Sequence, residues 1–307
     1  DLILSNATSS KTTSSITTKS LYISDVIDFL PNLSVMASLR LDHYQGVAMY
    51  STEEVKSQTT FSPKFGIVYQ PIMNKLSLFA NYMNGFKNLA PGNLFDSTGN
   101  VIGVQVYDPE RANQWEVGTK ANLYKDKISL TASYYNILVS NKLMADATNP
   151  NNQVQSGEVE SKGFEISLVT NPIQGLSMIA GYSYNDSKVT KDDASAGYLG
   201  LRPEEAGPQN LFNFWANYKI SIGVLKGLGF GVGANYASEH KTLNRSNIGT
   251  FTLPSYIIFN SVISYTANKY NINLKFDNFT NKKYFSGWST VTPQRPSTVA
   301  LGVDFKF

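Results

Sequence analysis

The sequence predicts an all-β fold and, within that class, a transmembrane antiparallel β-barrel. Three observations lead there. Apolar and polar residues alternate with period two in stretch after stretch, the mark of strands whose two faces meet different surroundings. The connections fall into a short class and a long, polar class, and the two alternate strictly along the chain. Charged residues make up only 16% and aromatics 12%, against roughly 25% charged in an ordinary soluble domain.

Thirteen strands are expected, centred near residues 22, 38, 65, 80, 117, 132, 163, 181, 214, 232, 261, 274 and 302. The first two are joined by Pro31-Asn32, and in the second Leu33, Val35, Ala37, Leu39 and Leu41 alternate with Ser34, Ser38, Arg40 and Asp42. Gln70 to Lys75 links the third to the fourth. Lys125-Asp126 then joins Trp115 to Leu123 with Ile128 to Tyr134. Asn171 to Gly175 lies between Phe164 to Leu168 and Leu176 to Tyr184. Phe212 to Tyr218 leads through Ser221 to Gly227 into a strand where Gly227, Gly229, Gly231 and Gly233 alternate with Leu228, Phe230 and Val232. That alternation reads as a strand with glycine inward; Ala234 breaks the phosphate-loop pattern. The eleventh strand passes through Ala267 to Lys269 into Tyr270, Ile272, Leu274 and Phe276, set against Asn271, Asn273, Lys275 and Asp277. The last strand sets Val299, Leu301, Val303, Phe305 and Phe307 against Ala300, Gly302, Asp304 and Lys306. No stretch has a convincing helical period.

The long connections are 45–57, 87–108, 141–152, 189–207, 239–254 and 281–296. A β-sandwich has no reason to place every long loop at one end, whereas an outer-membrane barrel has short periplasmic turns and long extracellular loops. Several alternating stretches reach the 9–11 residues that a tilted membrane strand needs; sandwich strands average about 5–6. Lipid demands that every backbone group be paired, which closure of a sheet provides, and the aromatics would supply two interfacial girdles.

Other classes are excluded on composition. No run approaches the ~18 apolar residues of a spanning helix. A hydrophobic share of 42% does not suit disorder. With no cysteine there is no disulfide or thiolate site, and a net charge of +3 is too small to imply nucleic-acid binding. An odd strand number would force the first and last strands of a closed meander to run parallel. The expectation is therefore that residues 1–307 are the C-terminal portion of a larger barrel, beginning inside a long Ser/Thr-rich loop at 5–20 and ending on the periplasmic side.

Several segments together resemble TonB-dependent outer-membrane receptors, particularly the siderophore branch that includes the ferrichrome receptor. Phe61-Ser-Pro-Lys-Phe-Gly-Ile-Val-Tyr-Gln-Pro71 is similar to the family's strand and turn, and Leu76 to Phe86 follows as its next strand does. Asp108-Pro-Glu-Arg-Ala-Asn-Gln-Trp-Glu-Val-Gly-Thr-Lys120 is the most distinctive match, joined by Glu160-Ser-Lys-Gly-Phe-Glu165. Leu253-Pro-Ser-Tyr256, Asn278-Phe-Thr-Asn-Lys-Lys-Tyr284 and Arg295 to Phe307 resemble the closing segments, in order over nearly the whole chain. Phe279 stands where the family more often has Leu, and Arg295 is followed by Pro and Ser rather than by an immediate strand. The resemblance implies a barrel of about 22 strands filled by a plug, of which these are the last thirteen. It implies an importer of ferric siderophores, energised by the TonB complex through the upstream plug, seated in outer-membrane lipid and folded by the barrel-assembly machinery. Phe307 would be the terminal signal that this machinery reads.

Ligand-contact candidates come from the long loops. Tyr284, Phe285 and Trp288 lie in the last one, and Tyr107, Tyr198, Arg202 and Arg245 in others. Aromatic faces give large contact area at low entropy cost, and arginine donates to carboxylate or hydroxamate oxygens. Arg295 is read as part of a lumen charge network, and Glu116, Lys120 and Glu165 as lumen-facing structural charges. The acidic pairs Glu53-Glu54, Asp192-Asp193 and Glu204-Glu205 lack a calcium-loop spacing and are read as solvated charge. His43 and His240, the only histidines, lie far apart, so no cofactor or zinc site is expected. No nucleophile–base pairing points to an enzyme. Alternative cargoes are haem, for which only His240 is placed to serve, cobalamin or an oligosaccharide. A non-transporting adhesin or structural barrel is the rival of a different class.

Overall fold

The computed structural model describes residues 16–46, 57–146, 148–192 and 196–306. Strands follow one another as β1 (Ile16–Leu30), β2 (Leu33–Gly46), β3 (Gln58–Ile72), β4 (Leu76–Lys87), β5 (Gly92–Phe95), β6 (Val101–Gln105), β7 (Glu110–Leu123), β8 (Ile128–Ala145), β9 (Gln153–Thr170) and β10 (Leu176–Lys191). They continue as β11 (Asn210–Lys219), β12 (Leu228–Ala237), β13 (His240–Arg245), β14 (Gly249–Leu253), β15 (Tyr256–Thr266), β16 (Tyr270–Asp277), β17 (Phe285–Ser286), β18 (Thr292–Pro293) and β19 (Thr298–Phe305). Thirteen of them form one antiparallel meander, β1-β2-β3-β4-β7-β8-β9-β10-β11-β12-β15-β16-β19. Every expected strand centre falls inside one of these thirteen. The remaining six strands pair as three hairpins, β5–β6, β13–β14 and β17–β18, within loops that the sequence leaves without structure.

Register assigns the two faces. Val117 pairs with Tyr134, Tyr134 with Phe164, and Phe164 with Tyr184. Residues opposite one another across a ladder share a face, so these aromatics form a row. The Trp115 and Tyr134 rings lie 5.4 Å apart, and Phe164 lies 5.6 Å from both Tyr182 and Tyr184. Near the short-turn end Tyr265 and Tyr270 make a second contact, at 6.1 Å. Between these levels the same face carries exposed Leu78, Ile166, Phe230, Val232 and Ile263. Exposed apolar side chains flanked by aromatic rows are what a lipid-facing barrel wall requires.

The opposite face is polar. Glu116 pairs with Tyr135, Lys120 with Thr131, and Glu165 with Ser133, placing all three charges away from the lipid side as expected. On the lipid side a basic group at mid-depth would cost about 2–4 kcal/mol. Trp215 also lies on this inner face. Its indole occupies the space that a Cβ on Gly231 or Gly233 would need, at 2.6 and 2.4 Å, which explains the alternating glycines of β12. Between β7 and β8, Tyr124, Lys125 and Asp126 all have positive φ (50°, 55° and 62°), a left-handed backbone that Asp tolerates and that Tyr and Lys adopt uncommonly.

β8 and β9 are 18 residues each, longer than the 9–11 a bilayer demands. Their surplus length projects at the long-loop end and forms one wall of the site described next. Phe307 and the pair Glu53-Glu54 lie outside the described residues, as does Asp193.

Candidate functional site

The β8–β9 hairpin closes at 146–152, where the Asp146 amide donates to the Asn152 carbonyl at 3.0 Å. Asn149 and Asn152 side chains both donate to the Phe95 carbonyl, at 2.9 and 3.0 Å, and so dock the β5–β6 hairpin against it. Just before the tip the ladder slips twice, at Ser140/Lys142 and at Lys142/Met144. Asn141 sits there at φ 58°, a left-handed conformation that asparagine tolerates. Such a bulge re-aims the side chains that follow it, and here it turns Lys142 and Met144 toward the space above the sheet. Met144 joins Val159 and Val189 in a small buried cluster, with Val139 and Tyr198 packed against it.

The loop after β10 is tied down by Arg202. Its guanidinium donates to the Asn185 carbonyl at 2.7 Å and the Asn185 side-chain oxygen at 3.0 Å, and to the carbonyls of Gly207, Ala206 and Pro208 at 3.1 to 3.4 Å. Burial pulls this guanidinium below its ordinary pKa, and the five acceptors compensate for lost water. A single 3-10 turn, Glu204–Ala206, follows. Glu204 accepts from the Asn244 amide at 3.0 Å and from Arg245 Nε at 3.1 Å, and the Arg202 carbonyl accepts from Asn244 Nδ2 at 2.8 Å. The β13–β14 hairpin is thereby fastened to the loop.

Between these walls lies a cavity of about 550 Å³ lined by Lys142, Met144, Asn152, Gln153, Val189, Tyr198, Glu204, Glu205, Arg245 and Trp288, among others. Its volume falls within the 300–1,000 Å³ typical of small-molecule sites. Arg245 stacks over the Tyr198 ring, 4.8 Å from the centroid. Lys142 pairs with Glu205 at 2.8 Å. Burial opposes the Glu205 charge, but hydrogen bonds from Lys142 and from its own backbone outweigh it, and the carboxyl sits below its ordinary pKa. Burial likewise raises the Tyr198 phenol, with Arg245 acting in the other direction. Trp288 is 54% exposed and offers an open indole face.

Three of the sequence candidates therefore converge here: Tyr198, Arg245 and Trp288. The others do not line this cavity. Arg202 spends its donors on Asn185 and the loop backbone. Tyr107 is buried at 3% exposure beneath Gly92, its carbonyl accepting from Gln58. Tyr284 packs against Tyr256, ring centroids 4.4 Å apart, and Phe285 is exposed at the start of β17. Glu204 and Glu205 are not solvated charges as expected, since each holds a cation. Lys142 escaped sequence reading because the bulge, not the alternation, decides where it points; Asn141 was the signal available. Among the described residues no cluster of three His, Cys, Asp or Glu is placed to hold a metal.

Residues 2–281 match the family model described as TonB dependent receptor-like, beta-barrel. The chain is 25% identical over 304 residues to a metal-pseudopaline receptor of Pseudomonas aeruginosa, covering 94% of this chain and 40% of that one. It is 28% identical over 225 residues to the ferrioxamine B receptor of Salmonella typhimurium, covering 71% and 30%. The solved siderophore receptor PiuA of Acinetobacter baumannii superposes with a TM-score of 0.78 at 24% identity, over 96% of this chain and 44% of that one. The ferripyoverdine receptor of Pseudomonas aeruginosa gives 0.78 at 18% identity, over 96% and 39%. The chain thus spans less than half the length of the relatives it matches.

Proposed function

Since the chain belongs to the TonB-dependent receptor β-barrel family, outer-membrane transporters rather than enzymes, we propose that it is the C-terminal portion of an active importer of ferric siderophores. In this reading it supplies thirteen strands of a barrel of about 22. A plug encoded upstream fills the lumen and couples to the TonB complex. The carrying observation is the cavity at the long-loop end, where Tyr198, Arg245 and Trp288 meet. Rigid aromatics with a placed cation are the means by which a protein holds a compact polar chelate. Relatives named as receptors for ferrioxamine B and metal-pseudopaline support the cargo class.

The chain's own residues divide the work. Trp288 and Tyr198 contribute contact surface, and Arg245 supplies donors held ready by Glu204. Arg202 keeps the loop in place. The inner-face charges Glu116, Lys120 and Glu165 meet the plug or lumen water, the outer face meets lipid, and Phe307 serves as the signal for the barrel-assembly machinery.

Uptake of iron-55 chelated by siderophores tests the reading, in cells carrying or lacking the full gene and with or without a proton-motive-force uncoupler. Saturable, uncoupler-sensitive uptake that requires the gene is expected. Surface binding without accumulation would make the protein an adhesin. Uptake indifferent to the uncoupler would make it a pore.

A further inference from the structure

We infer that the cavity selects a ferric chelate carrying little or no net charge, of the trihydroxamate kind, over an anionic tris-catecholate. The inference rests on the receptor reading above and specifies its cargo. Three singly ionised hydroxamates neutralise iron(III), whereas three doubly ionised catecholates leave the complex with a charge of −3. A site for the trianion needs cations whose charge is uncompensated, because bringing it close to a carboxylate is strongly unfavourable away from bulk water.

This cavity has no such surplus. Its two cations are each held by a carboxylate, Lys142 by Glu205 at 2.8 Å and Arg245 by Glu204 at 3.1 Å. One face of the Arg245 guanidinium is covered by Tyr198. Glu204 is held in turn by the Asn244 amide, so it cannot swing aside without loss. The rest of the lining is neutral, with Asn152 and Gln153 offering amides and Met144, Val189 and Trp288 offering apolar contact. The wider surface agrees. The chain's own six long connections together carry ten Lys or Arg and ten Asp or Glu, so summed over them they contribute no net charge to draw an anion inward. Carbonyl and N–O oxygens of a neutral chelate would take hydrogen bonds from the amides and from the free N–H groups of Arg245, leaving both ion pairs intact.

The test uses full-length receptor purified from outer membranes. Its affinity is measured for two iron(III) complexes of similar size, a neutral trihydroxamate and a tris-catecholate trianion, at low and high sodium chloride. The neutral complex is expected to bind at least tenfold more tightly, with a Kd that salt changes less than twofold. The double variant Glu204→Gln/Glu205→Gln frees both cations while keeping an acceptor oxygen for the Asn244 amide. Its preference should shift at least tenfold toward the trianion, a shift that salt removes. Wild-type preference for the trianion would overturn this inference and leave the siderophore reading standing. Binding of neither complex would overturn both. If the double variant does not fold, the wild-type comparison at two salt concentrations decides alone.

Discussion

The Arg245 guanidinium lies over the Tyr198 ring at 4.8 Å while its Nε donates to Glu204 at 3.1 Å. Two residues 47 positions apart in the chain are thus locked before any ligand arrives. The lock spans two loops, because Glu204 belongs to the segment after β10 and Arg245 ends β13. A contact surface ordered in advance does not have to be ordered at the expense of binding energy.

Trp288 is the one aromatic of the cavity that keeps much of its surface open. Replacing it with alanine removes ligand contact without breaking a hydrogen bond within the protein. A buried aromatic contact of this kind contributes about 0.5–1.5 kcal/mol beyond its area, so Trp288→Ala should weaken chelate binding by about tenfold. The melting temperature should not move. An affinity within twofold of wild type would remove Trp288 from the site.

Arg202 should behave differently. It satisfies the Asn185 carbonyl and three loop carbonyls at once, and hydrogen bonds from a charged donor contribute about 1.5–3 kcal/mol each at most. Arg202→Met is expected to destabilise the 196–209 loop by about 2 kcal/mol. Limited proteolysis within that segment would read this out, with ligand affinity lost as a consequence. Arg202→Lys should rescue little, since an ammonium cannot reach the acceptors that the planar fork spans. A loop as resistant as wild type in the methionine variant would show that Arg202 is not the tie.

How much of this could be read from the chain follows from the physics of each part. The thirteen strands were legible because lipid on one side and water or polar groups on the other impose a period of two. Tyr134, Phe164 and Tyr184 carry that signal on three consecutive strands. The hairpin β13–β14 was not legible, because above the membrane both of its faces meet polar surroundings and His240–Arg245 reads as an ordinary loop. By residue type Arg202 and Arg245 are equivalent candidates for ligand contact. What separates them is the set of acceptors each meets, and for Arg202 these are backbone carbonyls that no side-chain pattern reveals. Lys142 was hidden by a register slip at Asn141, where alternation gives the wrong face.

Gly163, in the segment Glu160-Ser-Lys-Gly-Phe-Glu165, has no room for a side chain. A Cβ there would lie 2.0 Å from the Tyr184 carbonyl oxygen and 2.8 Å from the Tyr135 hydroxyl, which itself accepts from Asn185 Nδ2 at 3.0 Å. Gly163→Ala must push backbone aside, and overpacking of this sort costs about 1–3 kcal/mol or more. The temperature at which the folded barrel converts to the slower-migrating unfolded band on a gel should fall. Adding Tyr135→Phe should not restore it, because the tighter clash is with main chain. An unchanged transition in Gly163→Ala would contradict this account.

The Lys142–Glu205 pair sets the acid limit of the site. The folded-state pKa of Glu205 is depressed below its ordinary value of 4.5, so the pair contributes stability that is complete above that value. The contribution is lost as pH falls through the lower, folded-state value. The protection of loop 196–209 amides, corrected for the intrinsic pH dependence of exchange, should therefore be constant from neutral pH down to the ordinary carboxyl value of 4.5 and fall as the solution becomes more acid than that. Lys142→Met supplies the discriminating control. With the ammonium gone, burial of Glu205 acts with less opposition and pushes the carboxyl upward, so the acid loosening of wild type should shrink or reverse, the variant loop loosening instead as pH rises and the unpaired carboxyl ionises. If the two profiles coincide, the ion pair does not govern the loop, and the charge balance of the cavity must be maintained by other groups.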